Sequence, residues 1–443
     1  MNFSVVILAA GQGTRMKSSL HKVLHPVADK PMLMHLVDTV EAMGAARSVV
    51  VVGQSREQVE HALAHREVGI AVQREQKGTG HAVLMAREQL ADFDGPVVIL
   101  YGDAPFVTRP TLEKMVARVE QPDRPGVVVL AASPDDAKQY GRVIRGEGDA
   151  IDRMVEYKDA DEAERACKLC NSGMMAVEGG ALWRWLDRVG NDNAAGEYYL
   201  PDIVMIAQEE GRKPVVVEGD AREMTGINSR IELAEAEAQF QELAREDAMA
   251  SGVTLRAPET VFFSHDTELA PDVVVEPNVV FGPGVSVGRG SRIRAFSHLE
   301  GARVGEDCEV GPYARLRPGA IMEKGSKVGN FVEMKKAVLG EGAKANHLTY
   351  LGDATVGAKA NIGAGTITCN YDGYGKYKTE IGEGAFIGSN SSLVAPVTIG
   401  KGAIVGAGSV ITKNVDEDSL GVARGEQRGL ADWAAKFRAK MSK

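Results

Sequence analysis

The sequence predicts an α/β domain with a mostly parallel, Rossmann-like sheet at residues 1–226, followed by a parallel β-helix at 251–421. Three observations carry that prediction. An aliphatic residue recurs every six positions at Leu269, Val275, Phe281, Val287, Ile293 and Leu299, and again at Ile381, Ile387, Leu393, Ile399, Val405 and Ile411. Neither an α-helix nor an ordinary strand has that period, whereas three short strands per coil of a parallel β-helix do. Upstream, strand-like runs at 5–10, 48–52, 97–101 and 127–131 alternate with amphipathic stretches such as 31–43 and 57–65, the pattern of a parallel sheet covered by helices. Residues 228–250 are rich in Ala, Glu, Gln and Leu and contain no Gly or Pro, which predicts one long helix and makes 227–250 a helical linker. Residues 422–443 form a tail with a short helix expected at 430–441.

Composition narrows the function classes. Apolar content of 44% with 25% charged residues is that of a soluble globular chain, and the 50 glycines in 443 residues exceed the usual share of about 7% because the repeats use them at corners. A net charge of −10 disfavours nucleic acid and anionic membrane surfaces as partners, since both demand broad basic patches. No segment approaches the roughly 18 apolar residues that cross a bilayer, and the start lacks the basic, then long apolar, pattern of a signal peptide. Cys167, Cys170, Cys308 and Cys369 show no disulfide framework, so a cytoplasmic location is expected. Cys167 and Cys170 have metal-like spacing without completing partners, and ordinary packing is the expected role.

Counting sixes from Leu316 through Met322 and Val328 to Met334 stacks Arg317 above Lys335 on adjacent coils, about 4.8 Å apart. Two cations so placed repel unless an anion bridges them, and phosphate is the natural candidate. His347 projects outward just before the largest break in the period, residues 368–380, whose three tyrosines, two lysines, Gly373 and Gly375 suit a loop reaching an adjacent chain. That setting points to His347 as a general base. In the first domain, the run after the first strand, Gly11 to Met16, is neither a Walker loop nor a Rossmann fingerprint. Its glycines still admit phosphate to the backbone, with Arg15 and Lys22 to neutralise charge. Asp103 closes a second strand at the same sheet edge, as a Mg2+ ligand requires.

The run LAAGQGTRM at 8–16 with KVLH at 22–25 resembles the signature of sugar-1-phosphate nucleotidyltransferases. With NFVEMKK at 330–336, HLTYLGD at 347–353 and NIGAGTITCNYDG at 361–373, nearly the whole chain is similar to the bifunctional GlmU family. That family joins a glucosamine-1-phosphate N-acetyltransferase to an N-acetylglucosamine-1-phosphate uridylyltransferase. The resemblance implies a left-handed coil for the β-helix, acetyl-CoA and UTP as co-substrates, Mg2+ as cofactor, and a homotrimer assembled through the β-helix. It implies that Leu8, Ala9, Ala10, Gly11, Gln73, Gly78 and Thr79 hold uridine, and that Arg15 and Lys22 face the triphosphate. Tyr101, Gly102, Gly141, Glu156 and Asn171 would hold the sugar phosphate, and Asp103 with Asn228 the metal. In the second domain it implies Arg317, Lys335, Tyr350 and Asn361 for the sugar phosphate and His347 for the amine proton. Ala364, Asn370, Tyr371, Ser389, Ala407 and Arg424 would meet acetyl-CoA. Two positions depart from the family pattern: His21 stands where proline is expected and Asn346 where glycine is expected. The rival reading is a nucleotidyltransferase whose β-helix serves only oligomerisation or regulation.

Overall fold

The computed structural model describes residues 2–137, 139–193 and 196–442, which fall into two compact units, Met1–Phe240 and Gln241–Lys443. In the first unit, β1 (Ser4–Ala9), β2 (Arg47–Val52), β3 (Gly69–Val72) and β4 (Pro96–Tyr101) alternate with helices that include α1 (Met32–Ala42) and α2 (Glu57–Leu63). α3 (Arg109–Val119) leads into β5 (Val127–Ala132), the short strands β6 (Arg142–Arg145) and β7 (Ile151–Val155), the long β8 (Cys170–Glu178) and finally β9 (Val215–Glu218). The sheet order is β9-β5-β8-β4-β1-β2-β3, with β6 and β7 hanging from β8 as a hairpin. Every residue of β1 is buried because both faces of the sheet are covered. Val6 and Leu8 enter one core with Val49, Val51 and Ile99, and Val5 and Ile7 enter the other with Val50, Val52 and Val98. A strand buried on both sides reads as a continuous apolar run.

β1 pairs in parallel with β2 on one side and β4 on the other, so the connections reverse direction there and open a crevice at the carboxyl ends of both strands. β8 runs antiparallel between β4 and β5. Its first residues therefore lie at the same edge, with Asn171 opposite Ala131. The predicted long helix, α4 (Arg230–Ala250), begins two residues later than expected. Ser229 Oγ accepts from Glu232 N at 3.2 Å and caps the first turn, which leaves Asn228 in the preceding loop.

The second unit is a three-sided parallel β-helix. Strands three apart in order pair with one another, giving sheets of ten, eight and eight short strands. The hexad aliphatics fill its interior: Phe281, Ile293, Leu316, Leu351, Ile387 and Val405 are all essentially buried. In the coils of Ile387 and Val405 a serine four places after the aliphatic closes the corner. Ser391 Oγ donates to Gly388 O at 2.6 Å, and Ser409 Oγ to Gly406 O at 2.6 Å, so a buried hydroxyl closes each turn. Gly388 tolerates no substitute, because a Cβ there would lie 2.4 Å from Ala407 N. Where the period shortens to five, Lys336 and Asp353 take the corner at φ 45°. At the break, Thr368 occupies an aliphatic position, fully buried, and accepts from Gly352 N at 2.8 Å. No helix among the described residues is long and apolar enough to cross a membrane.

Candidate active sites

A cavity of about 240 Å³ sits in the crevice above β1 and β4, lined by Leu8 to Gly11, Lys22, Gln73, Gly78, Thr79, Tyr101 and Asp103. Gly13 lets the loop close over it: its φ is 62° and a Cβ would meet Lys22 Cβ at 2.5 Å. Gln73, buried at the end of β3, donates to Gly78 O at 3.1 Å and meets His81 Nδ1 at 3.0 Å, which fixes its amide. Lys22 Nζ is ion-paired with Asp103 and donates to Asn228 Oδ1 at 2.9 Å. Backbone ties hold that trio, with Ile227 N donating to Asp103 O at 2.9 Å and Asn228 N to Glu232 Oε2 at 2.7 Å. Asp103 and Asn228 thus present two hard oxygen donors. That small set suits Mg2+, which keeps several waters and takes its remaining ligands from substrate phosphates.

An adjoining pocket of about 430 Å³ shares Thr79 and Tyr101 with the first and adds Gly141, Glu156 and Asn171. Asn171 N donates to Gly141 O at 2.9 Å, and Gly173 N to Asn171 Oδ1 at 2.8 Å, so the start of β8 is folded against the hairpin. Burial, then the nearby charges of Asp159 and Asp202, pushes the Glu156 carboxyl above the ordinary range. Burial also pushes the Tyr101 phenol well up, keeping its O–H intact. Glu197 lines both cavities and was missed by sequence reasoning. Its segment docks through Tyr198 N to Lys77 O at 2.8 Å and Leu200 N to Thr79 Oγ1 at 3.0 Å, contacts that no local pattern announces. Arg15 lies exposed on the 3-10 turn Thr14–Met16 and lines neither cavity. Gly102 meets β1 through its N–H, which donates to Leu8 O at 2.9 Å.

In the β-helix, Leu316 pairs with Met334 and Arg317 N donates to Met334 O at 2.8 Å, so Arg317 and Lys335 occupy neighbouring rungs. Lys376, from the break in the period, joins them. Its cation, then that of Arg317, holds the Lys335 ammonium below the usual lysine range. Lys376 was not singled out from sequence, because hexad counting says nothing about where a looped-out segment returns. Tyr350 lies on the same sheet, opposite Glu333, whereas His347 and Asn361 belong to the neighbouring ten-stranded sheet. One chain therefore arranges the predicted sugar-phosphate residues around a corner rather than in a single pocket. His347 Nδ1 lies 2.6 Å from Asn330 Oδ1. A carbonyl oxygen only accepts, so in the neutral imidazole Nδ1 carries the proton and Nε2 keeps a lone pair.

A second column starts at that histidine. Gly365 N donates to His347 O, Asn390 N to Ala364 O and Gly408 N to Ser389 O, and Arg424 Nη1 donates to Ala407 O at 2.8 Å. His347, Ala364, Ser389 and Ala407 thus stand on successive coils, with the Arg424 guanidinium at the far end. Asn370, at the other end of the strand Ile367–Cys369 that follows the column's corner, is buried and donates to Asp353 Oδ2 at 2.5 Å, while Tyr371 is exposed, its hydroxyl donating to Gly373 O at 2.7 Å.

Residues 5–167 match the MobA-like NTP transferase domain, and residues 378–413 match the bacterial transferase hexapeptide repeat. Over 440 residues the chain is 62% identical to the bifunctional protein GlmU of Rhizorhabdus wittichii, covering 99% of this chain and 97% of that one. The GlmU of Sphingopyxis alaskensis is 60% identical over the same shares, and that of Zymomonas mobilis 54% identical over 100% of this chain and 98% of the relative. The chain belongs to the bifunctional GlmU family. It is accordingly an acetyltransferase and a uridylyltransferase in one polypeptide, with a Rossmann-like first fold and a left-handed parallel β-helix as its second. GlmU membership also gives the two cavities and the column their chemical context: a nucleotide and acetyl-CoA are substrates.

Proposed function

We propose that the β-helix acetylates glucosamine-1-phosphate with acetyl-CoA, and that the α/β domain at 1–226 then transfers UMP from UTP to the product, giving UDP-N-acetylglucosamine and pyrophosphate. The observation that carries the acetyl half is the column from His347 to Arg424. A base with a free Nε2 lone pair stands at one end, a guanidinium for a CoA phosphate at the other, and about 14 Å of backbone between His347 and Ala407 at 4.8 Å per coil. His347 Nε2 takes the proton as the amine attacks the thioester, because an ammonium has no lone pair to attack with. Arg317, Lys335 and Lys376 hold the sugar phosphate as fixed cations, and Tyr350 and Asn361 line its approach.

In the α/β domain, Gln73, Gly78, Thr79 and the run Leu8 to Gly11 seat uridine. Tyr101, Gly102, Gly141, Glu156 and Asn171 seat the sugar phosphate in the adjoining pocket, so that its phosphate oxygen approaches the α-phosphate from the side of Tyr101. Asp103 and Asn228 hold Mg2+, which when bound neutralises phosphate charge. Lys22, with Arg15 from the exposed turn, faces the triphosphate. The displacement is in line, and positioning and charge neutralisation suffice without a protein nucleophile.

Copies of the chain associate as a homotrimer through the β-helix in the cytoplasm. Two features support this reading: the separation of His347 and Asn361 from Arg317 and Lys335 across a corner, and an exposed ladder beside that corner. Phe296, Tyr313 and Phe331 stack there on successive coils at 4.8 and 5.2 Å, each about half exposed. The deciding experiment assays both reactions on two variants. His347→Ala loses acetyl transfer and keeps uridylyl transfer, and Asp103→Ala does the reverse; equal retention of both activities by His347→Ala rejects the assignment.

A further inference from the structure

The Lys22 ammonium stands between Asp103 and Asn228, paired with the carboxylate of one and donating to Oδ1 of the other at 2.9 Å. The side chains of Lys22 and Asp103 are only 11% and 18% exposed, so the carboxylate needs a cation close by. Those same two oxygens are the hard donors available to a divalent metal at this sheet edge. A metal ion sits about 2.1 Å from each ligand oxygen, which beside an ammonium on the same carboxylate and amide sets two positive charges against each other. We infer that Lys22 is the resident counter-cation of the Asp103–Asn228 pair, that it competes with the divalent metal for these oxygens, and that metal entry hands its ammonium to the phosphates.

The local structure permits that exchange. The backbone of Lys22 is anchored, since Val23 and Leu24 beside it on the 3-10 turn are buried. Gly13 packs against its stem, but Gly11 leaves room beside its tip: even a Cβ there would reach Cε and Nζ only at 3.9 Å. A four-carbon stem carrying a compact charge is suited to swing between two anions. The swing keeps Asp103 neutralised at each stage, first by Lys22 and then by the metal. It also means that the lysine reaches the phosphates chiefly when the metal is in place, which ties two electrostatic contributions to one event. The inference rests on the assignment of Asp103 and Asn228 as the metal ligands, and the test separates the two.

Binding of Mn2+ to the full-length protein, without nucleotide, is followed by electron paramagnetic resonance for the wild type, Lys22→Met, Lys22→Arg, Asp103→Asn and the double variant Lys22→Met/Asp103→Asn. Competition predicts that Lys22→Met binds Mn2+ about fivefold or more tightly than the wild type, and that Lys22→Arg, which restores a cation, returns the affinity toward the wild-type value. Equal or weaker binding by Lys22→Met overturns the inference while leaving the ligand assignment intact. Loss of binding with Asp103→Asn in both backgrounds supports the assignment. Binding that survives Asp103→Asn shows the metal elsewhere and removes both.

Discussion

At the residue scale, the charges that matter are those whose neighbours move them. Lys335 is held below the ordinary lysine range by Lys376 and Arg317, so as pH rises it loses its proton earlier than an exposed lysine. The KM for glucosamine-1-phosphate in acetyl transfer should therefore begin to climb at a pH below the usual lysine range. Lys376→Ala should shift that limb to higher pH while raising KM roughly tenfold at neutral pH, the value of one charge-assisted hydrogen bond. Glu156 has the opposite problem. Its raised carboxyl takes up a proton at a higher pH than an ordinary glutamate, and the neutral acid accepts more weakly from sugar hydroxyls. Acidification should thus weaken N-acetylglucosamine-1-phosphate binding in uridylyl transfer from an unusually high pH, and Glu156→Gln should flatten that dependence; an unchanged profile in the variant assigns the effect to another group. Single residues were unequally legible in the sequence. Asp103 stood out because it follows an apolar strand and Lys22 because it follows the glycine-bearing loop after the first strand, while Glu197 did not, because its place depends on docking between segments more than a hundred residues apart.

At the element scale, each coil of the β-helix is held by one inward aliphatic per face and one closed corner. Ile387→Ala removes a fully buried side chain and should cost about 2–5 kcal/mol, read as a lowered unfolding midpoint. In a linear stack each coil leans only on its neighbours, so the loss should be felt first in the coils around residue 387. The four strands read from the sequence in the first domain match β1, β2, β4 and β5 to within a residue, since a strand buried on both faces is an uninterrupted apolar run, whereas the short strands β3, β6, β7 and β9 were not read. β8 was not read as a strand. Its bulge between Asn171 and Met175 breaks the alternation, and its antiparallel insertion between β4 and β5 is a choice of partner that only the assembled sheet makes. Ser229 shows the same limit on a smaller scale: a cap two residues inside a helix-rich run decides whether Asn228 is a helical residue or a ligand.

At the scale of the whole molecule, the acetyl-transfer residues lie on two neighbouring sheets of one chain, and the proposed trimer is what closes them into a site. Co-expressing His347→Ala with Lys335→Ala tests this. Each variant alone should be inactive in acetyl transfer, whereas sites built from two copies should recover about a quarter of the wild-type activity in randomly mixed rings. Sites contained within one chain should recover none. The sequence by itself determined the two folds, the period of six, the stacking of Arg317 on Lys335 and the outward placement of His347, because all of these follow from counting along a chain whose local geometry is fixed. The tertiary structure alone decided that Lys376 returns to Lys335, that Asn330 sets the His347 tautomer, that β8 carries Asn171 to the sheet edge, and that Lys22 bridges Asp103 and Asn228. These are contacts between segments whose separation in sequence carries no pattern, and packing, not periodicity, brings them together.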